Sequence, residues 1–310
     1  MGIASIGVGG WGRNHVRVLS QLGKLTAVCD LNADLSKQYG ATYKVNNYTS
    51  ISEMTKNEDI QGAVVCTPTS THFKVASELI KQGIHVFVEK PLTYHSKDGE
   101  DLIKLAEKNN VKLTCGYIER FNPAVSLVKD KVRSKEHGDL LMLEFHRENR
   151  MPLHIKDVGI IYDTSVHDID TALWLFDDTP QQVFAKSGQN RHEHEDFATL
   201  MLSFSNNRIA IITSNWITPA RVRTFNAVFT EAKITSDFIS QDIKIEMEEG
   251  TFVPRNPKQE PLFLEIKNFV DAIYNGTAQV VTSREAVNVT KIAEAALKSS
   301  EIGQPISIEF

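Results

Sequence analysis

The sequence predicts a two-domain α/β protein, with an N-terminal doubly wound parallel sheet and a C-terminal α+β domain built on a large, mostly antiparallel sheet. Over the first 118 residues, short apolar runs alternate with amphipathic segments, and a glycine-rich turn joins the first two of them. From about residue 139, strand-like runs follow one another with only short turns between them. The 310 residues suffice for two cores, and we expect the domains to be 1–118 and 119–310.

The first domain is predicted to open with a strand at 3–6, a helix at 13–22 and a strand at 25–29. The remaining predicted elements are helices at 34–39, 51–56, 71–82 and 97–109, and strands at 63–66, 85–88 and 112–115. Apolar strands that alternate with amphipathic helices indicate a parallel sheet covered on both faces. Because crossovers between parallel strands are right-handed, this order gives a doubly wound Rossmann domain.

The second domain is predicted to consist mainly of sheet. Its strands are expected at 139–148, 182–187, 197–204, 208–216, 222–229 and 243–247, and its helices at 164–176, 262–274 and 284–298. Asn206-Asn207 has the composition of a hairpin tip between two of these strands. Consecutive strands without intervening helices imply a largely antiparallel sheet.

The turn after the first strand has the glycine spacing of a dinucleotide-binding loop. The residues expected to hold the cofactor there are Gly7, Gly9, Gly10, Trp11 and Gly12. A G-x-G-x-x-G turn lets the backbone approach a pyrophosphate at the N-terminus of the next helix, where free amides face the anion.

Asp30 ends the second predicted strand, about twenty residues past the glycines. A carboxylate at this point accepts hydrogen bonds from both hydroxyls of an adenosine ribose and repels a 2′-phosphate. The next residues, Leu31 and Asn32, provide no arginine to neutralise such a phosphate. We therefore predict NAD rather than NADP as the cofactor.

Composition argues against several classes of partner. The net charge of −5 disfavours nucleic acids and anionic membranes. The sequence has no apolar run of about eighteen residues and no signal-peptide pattern, so we expect a cytoplasmic protein. Cys29, Cys66 and Cys115 lie in or beside predicted strands, where we expect reduced thiols packed as small core residues.

Two short segments carry candidate catalytic groups. Lys90 lies between Glu89 and Pro91 at the carboxyl end of a predicted strand, where doubly wound folds place their ligands. A lysine there can stabilise a developing alkoxide, and a cis bond to Pro91 would aim it, but a solvated lysine before a turn proline has the same pattern.

Asp163 and His167 share one helical face, so the histidine can take a hydroxyl proton while the carboxylate orients its ring. A helix cap beside a surface histidine also explains this spacing.

Two further clusters have less specific patterns. Residues 191–196 read Arg-His-Glu-His-Glu-Asp, but they lack an i,i+4 histidine pair and a nearby cysteine, so we expect a solvated loop and no metal. Several arginines lie around the predicted boundary and sheet, namely Arg120, Arg147, Arg150, Arg221 and Arg223. Because arginine binds phosphate in a bidentate manner, we expect two of these five to contact a phosphate-bearing substrate, and charge alone does not say which.

Together these motifs resemble the glucose–fructose oxidoreductase/inositol dehydrogenase family (Gfo/Idh/MocA) over the whole chain. The matching segments are the glycine loop with His15, Cys66-Thr67-Pro68-Thr69-Ser70-Thr71-His72, Glu89-Lys90-Pro91 and 163–170. The resemblance implies that Lys90 and His167 are the catalytic pair and that Asp163 supports His167. It also implies cofactor contacts from Thr67, Pro68, His72 and Glu89.

Within the family, residues 9–17, 116–123 and 214–223 resemble the UDP-N-acetylglucosamine 3-dehydrogenases. Those enzymes oxidise the sugar C3 hydroxyl to a ketone, which an aminotransferase then converts to an amine. The resemblance implies a nucleotide-sugar substrate and a binding set of Tyr117, Arg120, Asn122, Arg147 and Arg221. Gly159-Ile160-Ile161-Tyr162 replaces the paired glycines common before the catalytic aspartate, which leaves the local backbone shape open.

Other functions stay open from the sequence. A dehydrogenase of a free polyol or monosaccharide such as inositol would not need the arginines. An NAD-dependent glycosidase begins with the same C3 oxidation and then eliminates the glycosidic substituent. A dinucleotide-sensing regulator need not keep Lys90, Asp163 and His167 together. Relatives associate through the exposed face of the antiparallel sheet, which implies a homodimer or homotetramer.

Overall fold

The computed structural model describes residues 2–152 and 155–310. They form two compact units: the chain up to Tyr117 together with Leu262–Val287, and Ile118–Pro261 together with Asn288–Phe310. The predicted second domain, 119–310, included residues 262–287, which lie in the first compact unit. The segment joins the first unit because Phe269 packs against Phe87, with ring centroids 5.7 Å apart, and Val281 accepts a buried hydrogen bond from Thr114.

The first unit contains the predicted parallel sheet, in the strand order β3-β2-β1-β4-β5-β6. Its strands are β1 Gly2–Ile6, β2 Leu25–Cys29, β3 Asn46–Tyr48, β4 Ile60–Val65, β5 His85–Glu89 and β6 Leu113–Gly116. Its helices up to this point are α1 Gly12–Gln21, α2 Ala33–Tyr43, α3 Ile51–Asn57, α4 His72–Ile80 and α5 Ser96–Lys108. The order reverses between β1 and β4, and doubly wound folds bind their ligands at the carboxyl ends of strands at such a reversal.

The second unit contains a nine-stranded sheet in the order β14-β13-β12-β11-β7-β10-β9-β8-β15. The strands are β7 Leu140–Glu148, β8 Gln182–Gly188, β9 Phe197–Ser203, β10 Ile209–Asn215, β11 Val222–Phe229, β12 Lys233–Asp237, β13 Ile243–Met247, β14 Gly250–Phe252 and β15 Ile306–Ser307. The remaining helices of the chain are α6 Pro123–Ser134, α7 Val166–Phe176, α8 Pro261–Tyr274 and α9 Ser283–Ile302. β7 and β10 are parallel, and the other pairings of this sheet among the described residues are antiparallel.

Some of these elements add to the predicted ones, namely β3, α6, β12, β14 and β15. The start of α6 has a clear local cause, because the Asn122 side chain accepts a hydrogen bond from the Ala124 amide and Pro123 occupies the first helical turn. A five-residue π-helix, Ile161–Ser165, comes directly before α7, where the pattern predicted only an α-helix from residue 164.

The nine-stranded sheet has one covered and one open face. Side chains that alternate along β7 and β11, such as Leu143, Phe145 and Phe225, are buried on the covered face. The open face carries the partly exposed apolar side chains of Phe184 and Met201, which are direct cross-strand neighbours on β8 and β9. Within the described ranges, no helix has both the length and the apolar character needed to cross a membrane.

Candidate active site

The glycine loop between β1 and α1 is shaped by close backbone packing. Gly7 has φ +79°, and a Cβ there would lie 2.5 Å from the Cys66 carbonyl oxygen. A Cβ on Gly12 would lie 1.9 Å from the Gly7 carbonyl oxygen, so both positions require glycine. A Cβ on Gly10 would meet nothing within 4 Å, which leaves open space beside the N-terminus of α1. This arrangement fits a dinucleotide, whose pyrophosphate would be held by the loop amides from Gly9 to Gly12.

Asp30 is fixed at the tip of β2 by two backbone donors. Its Oδ2 accepts a hydrogen bond from the Val8 amide at 2.9 Å, and its Oδ1 accepts one from the Asn32 amide at 2.8 Å. Each carboxylate oxygen has a second acceptor site, so Asp30 can still accept hydrogen bonds from ribose hydroxyls. The neighbouring Leu31 is 94% exposed and provides no positive charge.

Glu89 connects the end of β5 to the glycine loop. Its Oε1 lies 2.7 Å from Nε2 of the buried His15 and accepts a hydrogen bond from the Trp11 indole at 3.0 Å. Its Oε2 accepts a hydrogen bond from the Lys90 amide at 3.1 Å. Burial alone would raise the pKa of Glu89, but the hydrogen bond and charge of His15, together with Lys90, lower it. The carboxylate is therefore ionised at neutral pH, and its predicted contact with the cofactor remains a prediction.

His72 holds two segments of the cofactor side of the sheet together. Its Nδ1 lies 2.8 Å from the Pro91 carbonyl oxygen and its Nε2 lies 2.9 Å from the Thr67 carbonyl oxygen. His72 therefore bridges the segments that follow β4 and β5. The Lys90–Pro91 bond is cis, as the sequence suggested, and the half-buried Lys90 follows directly after β5.

Asp163 and His167 lie at the junction of the π-helix and α7, and both are partly exposed. π-Helical turns inside longer helices are often found at functional sites. Thr164 anchors this junction, because its hydroxyl donates to Asp163 Oδ2 at 3.1 Å and accepts a hydrogen bond from the Trp216 indole at 3.3 Å. The adjacent Ser165 hydroxyl donates to the Ser214 hydroxyl of β10 at 3.1 Å.

Glu195 contacts the start of the segment that carries Asp163, which the sequence analysis missed. Its Oε1 accepts a hydrogen bond from the Ile161 amide at 3.1 Å, at the start of the π-helix that carries Asp163. The neighbouring Asp196 is buried and accepts hydrogen bonds from the amides of Asn190, Arg191 and His192. The expected solvated loop at 191–196 is therefore corrected for these two residues, because their carboxylates satisfy backbone donors. Within the described residues, no cluster of three or more histidine, cysteine or acidic side chains could hold a metal.

Three of the residues predicted to bind substrate have buried partners within the second unit. Arg120 is bidentate to Asp170, with Nε at 2.9 Å from Oδ2 and Nη2 at 2.7 Å from Oδ1. Arg147 donates from Nε to Asp168 at 2.7 Å and from Nη2 to Glu119 at 3.0 Å. The Asn122 amide donates to Glu119 at 3.1 Å and its oxygen caps α6.

The other two residues of the predicted substrate set differ in exposure. Tyr117 is buried and directly follows β6, whereas Arg221 is exposed and directly precedes β11. Of the remaining cofactor candidates, Thr67 is half-buried and Pro68 is exposed. Substrate and cofactor contacts of these residues remain predictions.

Comparison with known proteins identifies the family to which this chain belongs. A model of an oxidoreductase family with an NAD-binding Rossmann fold matches residues 1–117, and the GFO/IDH/MocA C-terminal domain matches residues 125–235. The chain therefore belongs to the Gfo/Idh/MocA family and is an NAD-dependent dehydrogenase that acts on a CH–OH group.

Several dehydrogenases are similar to this chain over most of their length. The UDP-N-acetylglucosamine 3-dehydrogenase of Acidithiobacillus ferrooxidans is 26% identical over 86% of this chain and 87% of that protein. A solved structure of that enzyme, GnnA, has a TM-score of 0.90 at 24% identity and covers 97% of this chain and 98% of its own. The myo-inositol 2-dehydrogenase of Thermotoga maritima is 23% identical and covers 100% of this chain and 99% of its own. GenD2 from gentamicin A biosynthesis, solved in complex with NAD, has a TM-score of 0.90 at 21% identity, with 100% of this chain and 97% of that chain covered.

Proposed function

We propose that this protein oxidises the C3 hydroxyl of the nucleotide sugar UDP-N-acetylglucosamine to a ketone, with NAD as the hydride acceptor. The observation that carries the proposal is the Asp163–His167 pair on an anchored π-helix junction, combined with Lys90 after β5. The choice of substrate is supported by similarity to the Acidithiobacillus enzyme over most of both chains.

In the proposed mechanism, His167 accepts the proton of the C3 hydroxyl as the C–H bond breaks. Asp163 lies one helical turn before His167, orients its imidazole and stabilises the imidazolium that forms. The Lys90 ammonium stabilises the negative charge that develops on the oxygen. Bound NAD would supply the acceptor for the C3 hydride, so the substrate would lose one proton and one hydride in total.

The site residues contribute differently to binding. The glycine loop and Asp30 would hold NAD, and Thr67, Pro68, His72 and Glu89 would shape its pocket. Arg221 is exposed and accessible to a ligand. We assign Arg120, Asn122 and Arg147 to building the second unit rather than to direct substrate contact, because each is buried and bonded to protein groups.

We also propose that the protein is a homodimer or homotetramer that associates through the open face of the nine-stranded sheet. Phe184, Phe197 and Met201 are about 40% exposed on this face, which is unusual for such large apolar side chains. Size-exclusion chromatography with light scattering tests this proposal, and a monomer at micromolar concentration would contradict it.

The proposed 3-keto product is a substrate for an aminotransferase, which we propose as the next enzyme in the pathway.

Mass spectrometry after incubation with NAD, a ketone trap, nucleotide sugars and free polyols tests the reaction. Loss of two hydrogens from UDP-N-acetylglucosamine is expected. Lys90→Ala and His167→Ala should each slow oxidation at least about a hundredfold. The exposed Lys97→Ala and His146→Ala serve as matched controls and should retain activity. Normal turnover in both catalytic variants would overturn the mechanism.

A free polyol is the second candidate substrate, since the match to myo-inositol 2-dehydrogenase covers the full chain. Oxidation of inositol alone in the same assay would select it. Release of sugar from an aryl glycoside would instead indicate an NAD-dependent glycosidase.

A further inference from the structure

Two arginines lie directly opposite each other on neighbouring strands of the nine-stranded sheet. Arg223 on β11 pairs directly with Arg147 on the antiparallel β7, and the next pair on the same face is Phe225 with Phe145. Because side chains alternate along a strand, Arg223 and Arg147 project to the covered face with these two buried rings. Like charges placed directly opposite in a sheet are destabilising unless other groups compensate for them.

The carboxylates nearby compensate mainly for Arg147. Its Nε and Nη2 bind Asp168 and Glu119, while its buried Nη1 has no partner among the described residues. The Arg223 side chain makes no hydrogen bond or ion pair to the described part of the chain. Burial, Arg147 and Arg221 lower the pKa of Arg223 to about 10, against the opposing effect of Glu119 and Asp168. Arg223 is therefore still a cation at neutral pH, and it is the member of this group of two arginines and two carboxylates that has no direct partner among the described residues.

The Arg147–Arg223 pair lies next to the proposed catalytic helix. Ser214 on β10 is in register with Arg147 and binds Ser165 of the π-helix. Asp168, the partner of Arg147, directly follows His167 in the chain. An anion bound by Arg223 would consequently lie near the segment that carries His167.

We propose that Arg223, with Arg221 two residues before it in the chain, binds a phosphate group of the substrate. A guanidinium presents paired donors that match phosphate oxygens, and a ligand phosphate would offset the opposed charges of Arg223 and Arg147. This inference rests on the proposed function only in taking the bound phosphate to belong to a nucleotide sugar.

Binding of UDP without turnover tests the anion site directly. Calorimetry on the full-length protein should show that Arg223→Met weakens the binding of UDP at least about tenfold, as expected for the loss of a charge-assisted pair of hydrogen bonds. Binding of the uncharged nucleoside uridine should change less than about twofold, as should binding of NAD. Arg255→Met makes the same substitution at an exposed position after β14 and should bind UDP like the wild type.

Arg223→Lys keeps the charge but loses the planar pair of donors, so it tests the site if the methionine variant does not fold. It should weaken UDP about threefold or more and raise the KM for UDP-N-acetylglucosamine more than it lowers kcat. Unchanged UDP affinity in either folded variant, or an equal loss in Arg255→Met, would overturn the proposal. If UDP binds through Arg223 but UDP-N-acetylglucosamine is not oxidised, the anion site stands and the proposed reaction fails.

Discussion

The Glu195 carboxylate occupies the space that a side chain at Gly159 would need. A Cβ on Gly159 would lie 2.1 Å from the Glu195 carboxyl carbon. The Ile160 amide also donates to the Glu195 backbone carbonyl oxygen at 2.9 Å, and the Ile161 amide donates to the carboxylate. The entry to the π-helix therefore depends on a glycine and a glutamate that are far apart in sequence.

Gly159→Ala should distort this entry, because the new methyl group and the carboxylate cannot occupy the same space. We expect a loss of about 1–3 kcal/mol in the free energy of unfolding and a lower kcat, measured by denaturant unfolding and steady-state kinetics. In a Glu195→Ala background the same substitution should cost much less, since the clashing group is gone. Additive effects in the double variant would contradict the packing argument.

Arg120→Ala should act on stability rather than on substrate affinity. The substitution leaves buried Asp170 without its guanidinium partner, which is expected to cost about 3–5 kcal/mol. The exposed Arg221→Ala should change the unfolding free energy by less than about 0.5 kcal/mol. A stable Arg120→Ala protein with a raised KM would instead assign Arg120 to the substrate.

Asp168 makes stability depend on pH. Burial raises the pKa of Asp168 from its ordinary 3.8 to about 6, because its effect is larger than the lowering effect of the charge and hydrogen bond of Arg147. The folded protein thus retains a proton that the unfolded chain releases, and this contribution to stability is lost as the pH rises through about 6. Relative to Asp168→Asn, the wild type should lose up to about 3 kcal/mol of unfolding free energy between pH 4 and pH 7. Asp139→Asn, at an exposed carboxylate, should retain the wild-type profile.

Cofactor choice should change when the charge at the tip of β2 is reversed. Asp30→Ser combined with Leu31→Arg removes the repulsion toward a 2′-phosphate and adds a cation at an exposed position. The ratio of kcat/KM for NADP to that for NAD should rise at least about tenfold. Leu31→Arg alone should shift it less, because Asp30 still repels the phosphate.

The local pattern of the sequence was sufficient to predict the architecture. Apolar strands, amphipathic helices and the glycine spacing from Gly7 to Gly12 depend on nearest neighbours, so they indicated the parallel sheet and the NAD loop without tertiary information. The cis bond before Pro91 and the strand-end positions of Asp30 and Lys90 follow from the same short-range signals. The short β14, which lacks such a signal, was not predicted, and α6 was missed although Asn122-Pro123 is a local helix-start signal.

Tertiary structure decided which charged residues are partnered and which remain available to a ligand. Sequence placed Arg120, Arg147, Arg221 and Arg223 in one group, because their side chains are chemically identical. In the folded chain, Arg120 is paired with Asp170, and Arg147 is paired with Asp168 and Glu119. The cross-strand register places Arg223 opposite Arg147. The same holds for Glu195 beside Gly159, since burial and partner choice depend on residues that only the folded chain brings together.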